Sequence, residues 1–182
     1  MQSFVLSLTL FRIFAAPFIF ISAIFLESYW LAFWLFNVAA LTDYFDGKLA
    51  RDFRVESRLG AILDPIGDKL LVLFAIITVM VLTQDIYVAL MGAFILAREF
   101  WVSALREYSS SNNVSYATEV TLVAKAKTTF QFIALGMFLF GTAADYALLT
   151  FLASFVLFLS VLLSFKTATD YTYKIINANS RL

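Results

Sequence analysis

Leu70-Leu71-Val72-Leu73-Phe74-Ala75-Ile76-Ile77-Thr78-Val79-Met80-Val81-Leu82-Thr83-Gln84-Asp85-Ile86-Tyr87-Val88-Ala89-Leu90-Met91-Gly92-Ala93-Phe94-Ile95-Leu96 is two apolar runs broken by one polar pair. A bilayer-spanning helix needs about 20 mostly apolar residues. Two such runs joined by so short a break form a hairpin of neighbouring antiparallel helices. Followed outward, the two runs cover 60–83 and 86–107, and the same reading places further spans at 4–26, 29–50, 118–142 and 146–166. Glu27-Ser28 and Ala144-Asp145 break the chain on the side of Gln84-Asp85. On the other side lie Arg51 to Leu59, Glu107 to Tyr116 and the tail after Phe165. The expectation is an all-α integral membrane protein of six transmembrane helices, a single domain over 1–182, with Pro17 kinking the first helix.

Composition agrees. Of 182 residues, 62% are hydrophobic and 14% charged, with 21 Phe, whereas a soluble domain is about half apolar and about a quarter charged. So much apolar surface cannot be hidden inside one small globule. Formal charge is zero, so no overall field points to nucleic acid, and none is expected as a partner. Cys and His are both absent, which excludes disulfides, thiolate nucleophiles and imidazole bases. A metal here would be a hard cation on oxygen ligands, and a general base would be a carboxylate or Lys. The first apolar run has no basic flank or small-residue cleavage site and is expected to stay in the mature protein.

All 13 basic residues fall on one side: Arg12, Lys48, Arg51, Arg54, Arg58, Lys69, Arg98, Arg106, Lys125, Lys127, Lys166, Lys174 and Arg181. Basic loops face the cytoplasm, so both termini are expected there. Arg98 and Lys69 lie too deep to be simple loop charges. Tyr29, Trp30 and Trp34 read as an interfacial aromatic belt, the Phe-rich sixth span as lipid-facing, and the tail from Lys166, with Tyr171 and Tyr173, as a surface extension of the last helix.

On the basic side the second span ends Thr42-Asp43-Tyr44-Phe45-Asp46-Gly47-Lys48-Leu49-Ala50-Arg51, and the third begins Gly60-Ala61-Ile62-Leu63-Asp64-Pro65-Ile66-Gly67-Asp68-Lys69. Asp43 and Asp46 are i,i+3 and Asp64 and Asp68 are i,i+4, so each pair shares one helix face. A short loop lets the two faces confront each other. Four carboxylates that close repel unless neutralised, and one or two divalent cations would do so; Mg²⁺ characteristically leaves positions for substrate phosphates. Gly47, Ala50 and Gly60 leave room for a flat group near the backbone, and Arg51 offers a fork suited to a diphosphate. Charges that merely end two helices are the bland alternative, but ionisable groups within a span are costly and functional by default.

The pattern Asp43-x₂-Asp46-Gly47-x₂-Ala50-Arg51-x₈-Gly60-x₃-Asp64-x₃-Asp68 resembles that of the CDP-alcohol phosphatidyltransferases at all eight fixed positions. The resemblance implies that Asp43, Asp46 and Asp64 bind Mg²⁺ or Mn²⁺, and that Asp68 touches the metal site and acts as general base. It also implies that Thr42, Asp43, Gly47, Ala50, Arg51 and Gly60 receive the CDP head of CDP-diacylglycerol. The family is generally dimeric, so a homodimer is expected, its site opening to the cytoplasm and laterally to membrane lipid. One departure is Leu6, where the family often has a polar residue six positions before the arginine matching Arg12; Ser7 and Thr9 are nearby, and Arg12 itself could simply snorkel to the interface.

Acceptor choice turns on Arg98, Arg106, Lys125 and Lys127. A neutral alcohol needs no such cations; one carrying its own phosphate does. These segments also resemble those of bacterial family members that use sn-glycerol 3-phosphate. Other acceptors open to the same chemistry are inositol phosphate and phosphatidylglycerol. The competing reading pairs Arg98 with Glu99 and Arg106 with Glu107, and sets the lysines against anionic headgroups. Arg98 and Arg106 are roughly 80° apart around a helix, and i,i+2 lysines point apart. A small ion transporter would need acidic residues reaching the far side, where the helix halves are almost wholly apolar.

Overall fold

In a computed structural model the chain forms six helices: α1 (Gln2–Ile24), α2 (Tyr29–Phe53), α3 (Arg58–Thr83), α4 (Ile86–Ser111), α5 (Leu122–Ala143) and α6 (Ala147–Asn179). The described backbone covers 2–53, 58–112 and 122–179, and the described side chains 6–42, 59–60, 62–112 and 122–178. There is no strand among the described residues.

Among the described residues, five helices are long and apolar enough to cross a membrane, over Leu6–Ile24, Ile62–Thr83, Ile86–Ser111, Leu122–Ala143 and Ala147–Ala178. The helix of the expected second span, α2, is continuous from Tyr29 to Phe53; its apolar stretch within the described side chains is Tyr29–Thr42. One expected loop boundary also moves. α4 runs through Glu107 to Ser111, since Ser111 and Asn112 bond back to the Glu107 and Tyr108 carbonyls and prolong the turn they were expected to break. α1 is helical through Pro17.

The core is a stack of small and branched residues. Ala15, Ala16, Ile19 and Ala23 of α1 meet Ala32, Phe36 and Ala39 of α2, with Leu71, Ala75 and Val79 of α3 in the same cluster. α1 packs mainly on α3 and α2, α5 on α6, and α4 on α6. Small residues permit this closeness where lipid, as apolar as leucine, gives helices no hydrophobic reason to associate. At Gly92 of α4 a Cβ would lie 2.7 Å from Ile76 Cγ2 of α3. On α6 the exposed face carries Phe151, Phe155, Phe158 and Phe165. The tail extends the last helix as expected, α6 continuing to Asn179, but its surface reading is corrected at Tyr171, which is fully buried against Val102, Ala168 and Leu105. Tyr173, two residues on, is exposed.

The three connections without basic residues each use a left-handed residue: Glu27 (φ 50°), Gln84 (φ 48°) and Asp145 (φ 51°). Such a residue lets the amides after a helix bond back to its last carbonyls. Gln84 N–H donates to the Met80 carbonyl, and Tyr146 N–H to that of Gly141. Asp85 then caps α4, its carboxylate accepting from Tyr87 N–H at 2.7 Å.

Candidate active site

The site grows from the contact of α1 with α3. On α1, Thr9 and Arg12 are i,i+3 and share a face; on α3, Asp64 and Asp68 do the same one turn apart. Gly67, between the two aspartates, faces α1: a Cβ there would make ordinary contacts with Ile13, Arg12 and the Thr9 carbonyl at 3.6–3.7 Å. Arg12 is 0% exposed. Its Nη1 donates to Asp68 Oδ1 at 2.6 Å and its Nη2 to Asp64 Oδ1 at 3.3 Å, while Thr9 Oγ1 also donates to Asp64 Oδ1. The alternative that Arg12 only snorkels is therefore overturned. A buried guanidinium needs carboxylate partners, and two acidic groups close together need a cation. Helical spacing on α1 was the signal that could have revealed Thr9 and Arg12.

Asp64 and Asp68 remain about half-exposed. Asp43, Asp46, Gly47, Ala50 and Arg51 lie on α2, but their side chains are outside the described residues. Thr42 Oγ1 donates to the Ala39 carbonyl within its own helix, and Gly60 is buried near the start of α3. Among the described residues no three carboxylates gather. Those that are described present hard oxygen donors already drawn around one positive charge, a donor set that fits Mg²⁺ or Mn²⁺.

Beside Asp68 opens a cleft of about 470 Å³ between α3, α4 and α5. Its walls are Pro65, Asp68, Lys69 and Val72 of α3; Arg98, Glu99 and Arg106 of α4; and Ala124, Lys125, Lys127, Thr128, Thr129, Gln131 and Phe132 of α5. Five cations thus face two carboxylates. Arg98 and Lys127 are 6% and 4% exposed, whereas Arg106 and Lys125 are exposed. Although i,i+2, both lysines border the cleft.

Glu99 joins the two buried cations, accepting from Arg98 Nη1 at 3.1 Å and from Lys127. The Arg98–Glu99 pairing weighed from the sequence is therefore present, and it coexists with a place on the cleft wall. The Arg98 Nε donates to the Ser164 carbonyl at 3.3 Å and its Nη2 to Thr167 Oγ1 at 2.7 Å, anchoring the guanidinium to α6. One carboxylate for two buried cations leaves local positive charge, so an incoming anion meets charge-assisted donors that are already positioned. Sequence reasoning did not single out Glu99, Thr128, Thr129 or Gln131 as cleft residues. Gln131 lies one turn beyond Lys127 on the same face, which is the signal that could have found it.

A sequence model of the CDP-alcohol phosphatidyltransferase family matches residues 6–166. The CDP-diacylglycerol–glycerol-3-phosphate 3-phosphatidyltransferase of Escherichia coli (strain K12) is 41% identical over 135 residues, covering 72% of this chain and 74% of that protein. The proteins of the same name from Escherichia coli O157:H7 and from Shigella flexneri serotype 5b (strain 8401) match to the same extent.

Proposed function

Because the chain belongs to the CDP-alcohol phosphatidyltransferase family, and is thus a membrane transferase of phospholipid synthesis, we propose that it moves the phosphatidyl group of CDP-diacylglycerol to sn-glycerol 3-phosphate, giving phosphatidylglycerophosphate and CMP. The observation that carries the acceptor assignment is the cationic cleft beside Asp68, where Arg98, Arg106, Lys125 and Lys127 surround a space open to an anion. A neutral alcohol would leave those charges without purpose. The names of the relatives agree.

In this reading Asp43, Asp46, Asp64 and Asp68 hold one or two Mg²⁺ or Mn²⁺ ions, which supply positive charge to the diphosphate and make CMP a good leaving group. Thr42, Asp43, Gly47, Ala50, Arg51 and Gly60 receive the CDP head, and the acyl chains stay in the bilayer. Arg98 and Lys127, fixed by Glu99 and by α6, hold the acceptor phosphate; Arg106 and Lys125 add charge at the mouth. Asp68, on the wall of the same cleft, takes the proton of the attacking hydroxyl as it closes on the lipid-side phosphorus. The Arg12 guanidinium and Thr9 orient the Asp64 and Asp68 carboxylates.

The single domain of 1–182 sits in the bacterial inner membrane with six spans, the polar end of α2 emerging at the cytoplasmic boundary. The basic end and both termini face the cytoplasm, where a soluble phosphorylated acceptor is met.

The test is product identity. Purified protein with CDP-diacylglycerol is given radiolabelled sn-glycerol 3-phosphate, inositol phosphate or phosphatidylglycerol, with and without EDTA. Lipid product and CMP are expected with glycerol 3-phosphate alone, lost in EDTA and restored by Mg²⁺ or Mn²⁺. Product only with another acceptor would overturn the assignment, and full turnover in excess EDTA the metal.

A further inference from the structure

Gln131 is a buried amide that the reaction as described does not use. It sits on the inward stripe of α5, one turn deeper than Lys127 and followed by Ala134, Leu135 and Phe138. Only 1% of its surface is exposed, yet it borders the cleft that holds Asp68 and the cations. Its Oε1 has no hydrogen-bond partner among the described residues. Its neighbours on α5 are satisfied: Thr128 and Thr129 donate to carbonyls of their own helix, and Lys127 is paired with Glu99.

A buried amide oxygen without a donor is destabilising, and native proteins keep few of them without a reason. An apolar residue on this stripe would pack as its neighbours do. A donor that enters the cleft with the ligand would supply the missing partner. A phosphate dianion cannot be that partner, since it brings acceptors only and belongs with the cations. A hydroxyl can, and because it both donates and accepts, it can pair with either end of the amide.

We infer that Gln131 binds the non-reacting hydroxyl of the acceptor, making it the residue that selects a phosphorylated polyol over a phosphorylated simple alcohol. This rests on the proposed function. Glycerol 3-phosphate has two hydroxyls, the primary one that attacks and a secondary one on the central carbon. Phosphate on Arg98 and Lys127 fixes one end, and the central hydroxyl on Gln131 fixes the rotation about the chain. The primary hydroxyl is then directed toward Asp68 on the opposite wall. Two anchors are the minimum that positions a flexible three-carbon chain.

The experiment measures CMP release from CDP-diacylglycerol with sn-glycerol 3-phosphate and with 3-hydroxypropyl phosphate, which lacks only the central hydroxyl. Wild-type protein is compared with Gln131→Leu and Gln131→Met, the second matching the length of glutamine without its polar atoms. Wild type should prefer glycerol 3-phosphate in kcat/KM by about tenfold, the scale of one net hydrogen bond. In both variants the ratio should fall to near one, with thermal stability in detergent equal or higher, since an unsatisfied buried amide has been removed. A ratio in the folded variants equal to that of wild type would overturn the role of Gln131 alone. Absence of wild-type turnover with glycerol 3-phosphate would instead remove the proposed function, and this inference with it.

Discussion

At the basic end of the bundle a cleft of about 470 Å³ is walled by Asp68, Lys69, Arg98, Glu99 and Lys127; at the opposite end one of about 440 Å³ is walled by Asp85, Asp145, Thr83, Thr142, Thr150 and Ser154. Size does not distinguish them, and both contain carboxylates. What differs is where the polar groups find their partners. At the far end they bond locally: Asp85 caps its own helix, and Thr83, Thr150 and Ser154 donate to carbonyls three or four residues back. At the basic end the bonds cross between helices, from Arg12 to α3, from Lys127 to α4 and from Arg98 to α6. Local bonds finish a helix. Bonds between helices hold charges in a fixed array that folding alone does not require, and such an array is expensive unless it has work to do.

The sharpest way to break this contrast is to neutralise one carboxylate at each end. Asp68→Asn should lower kcat for CMP release by roughly 10³-fold, the range of a lost general base, while CDP-diacylglycerol still binds in equilibrium dialysis. Asp85→Asn should leave kcat within about twofold, because asparagine caps a helix as well as aspartate does. Comparable losses at both ends would erase the distinction.

A smaller effect sharpens the other half of the comparison. The left-handed backbone at Gln84 has a steric cost that glycine would not carry. Gln84→Gly should therefore raise stability by up to about 1 kcal/mol, offset in part by the greater freedom of glycine in the unfolded chain. Thermal unfolding in detergent would read this as a rise in midpoint, and a clear fall would show that the turn needs the glutamine side chain.

Much of this was legible before any coordinates. The polar pair Gln84-Asp85 marked a hairpin because nothing else interrupts 27 residues from Leu70 to Leu96. The grouping of cations on one side was visible because every basic residue obeys it. Other features were hidden for physical reasons. The turns at Glu27, Gln84 and Asp145 contain no glycine to announce a positive φ. Arg12 near a membrane boundary looks the same in sequence whether it snorkels or is buried, and only the approach of α1 to α3 at Gly67 decides it. Tyr171 follows the last apolar run and reads as surface until this part of α6 is seen to pack against Val102 and Leu105 of α4.

The proposed role of the buried cations is to act on the acceptor's phosphate. The direct measurement is kcat/KM for sn-glycerol 3-phosphate and for glycerol, in wild type and in Arg98→Gln. Wild type should strongly prefer the phosphorylated acceptor. In Arg98→Gln that preference should shrink by about 100-fold, the scale of a charge-assisted hydrogen bond to phosphate, with most of the change in KM for glycerol 3-phosphate. An equal loss for both acceptors, leaving the preference intact, would contradict it.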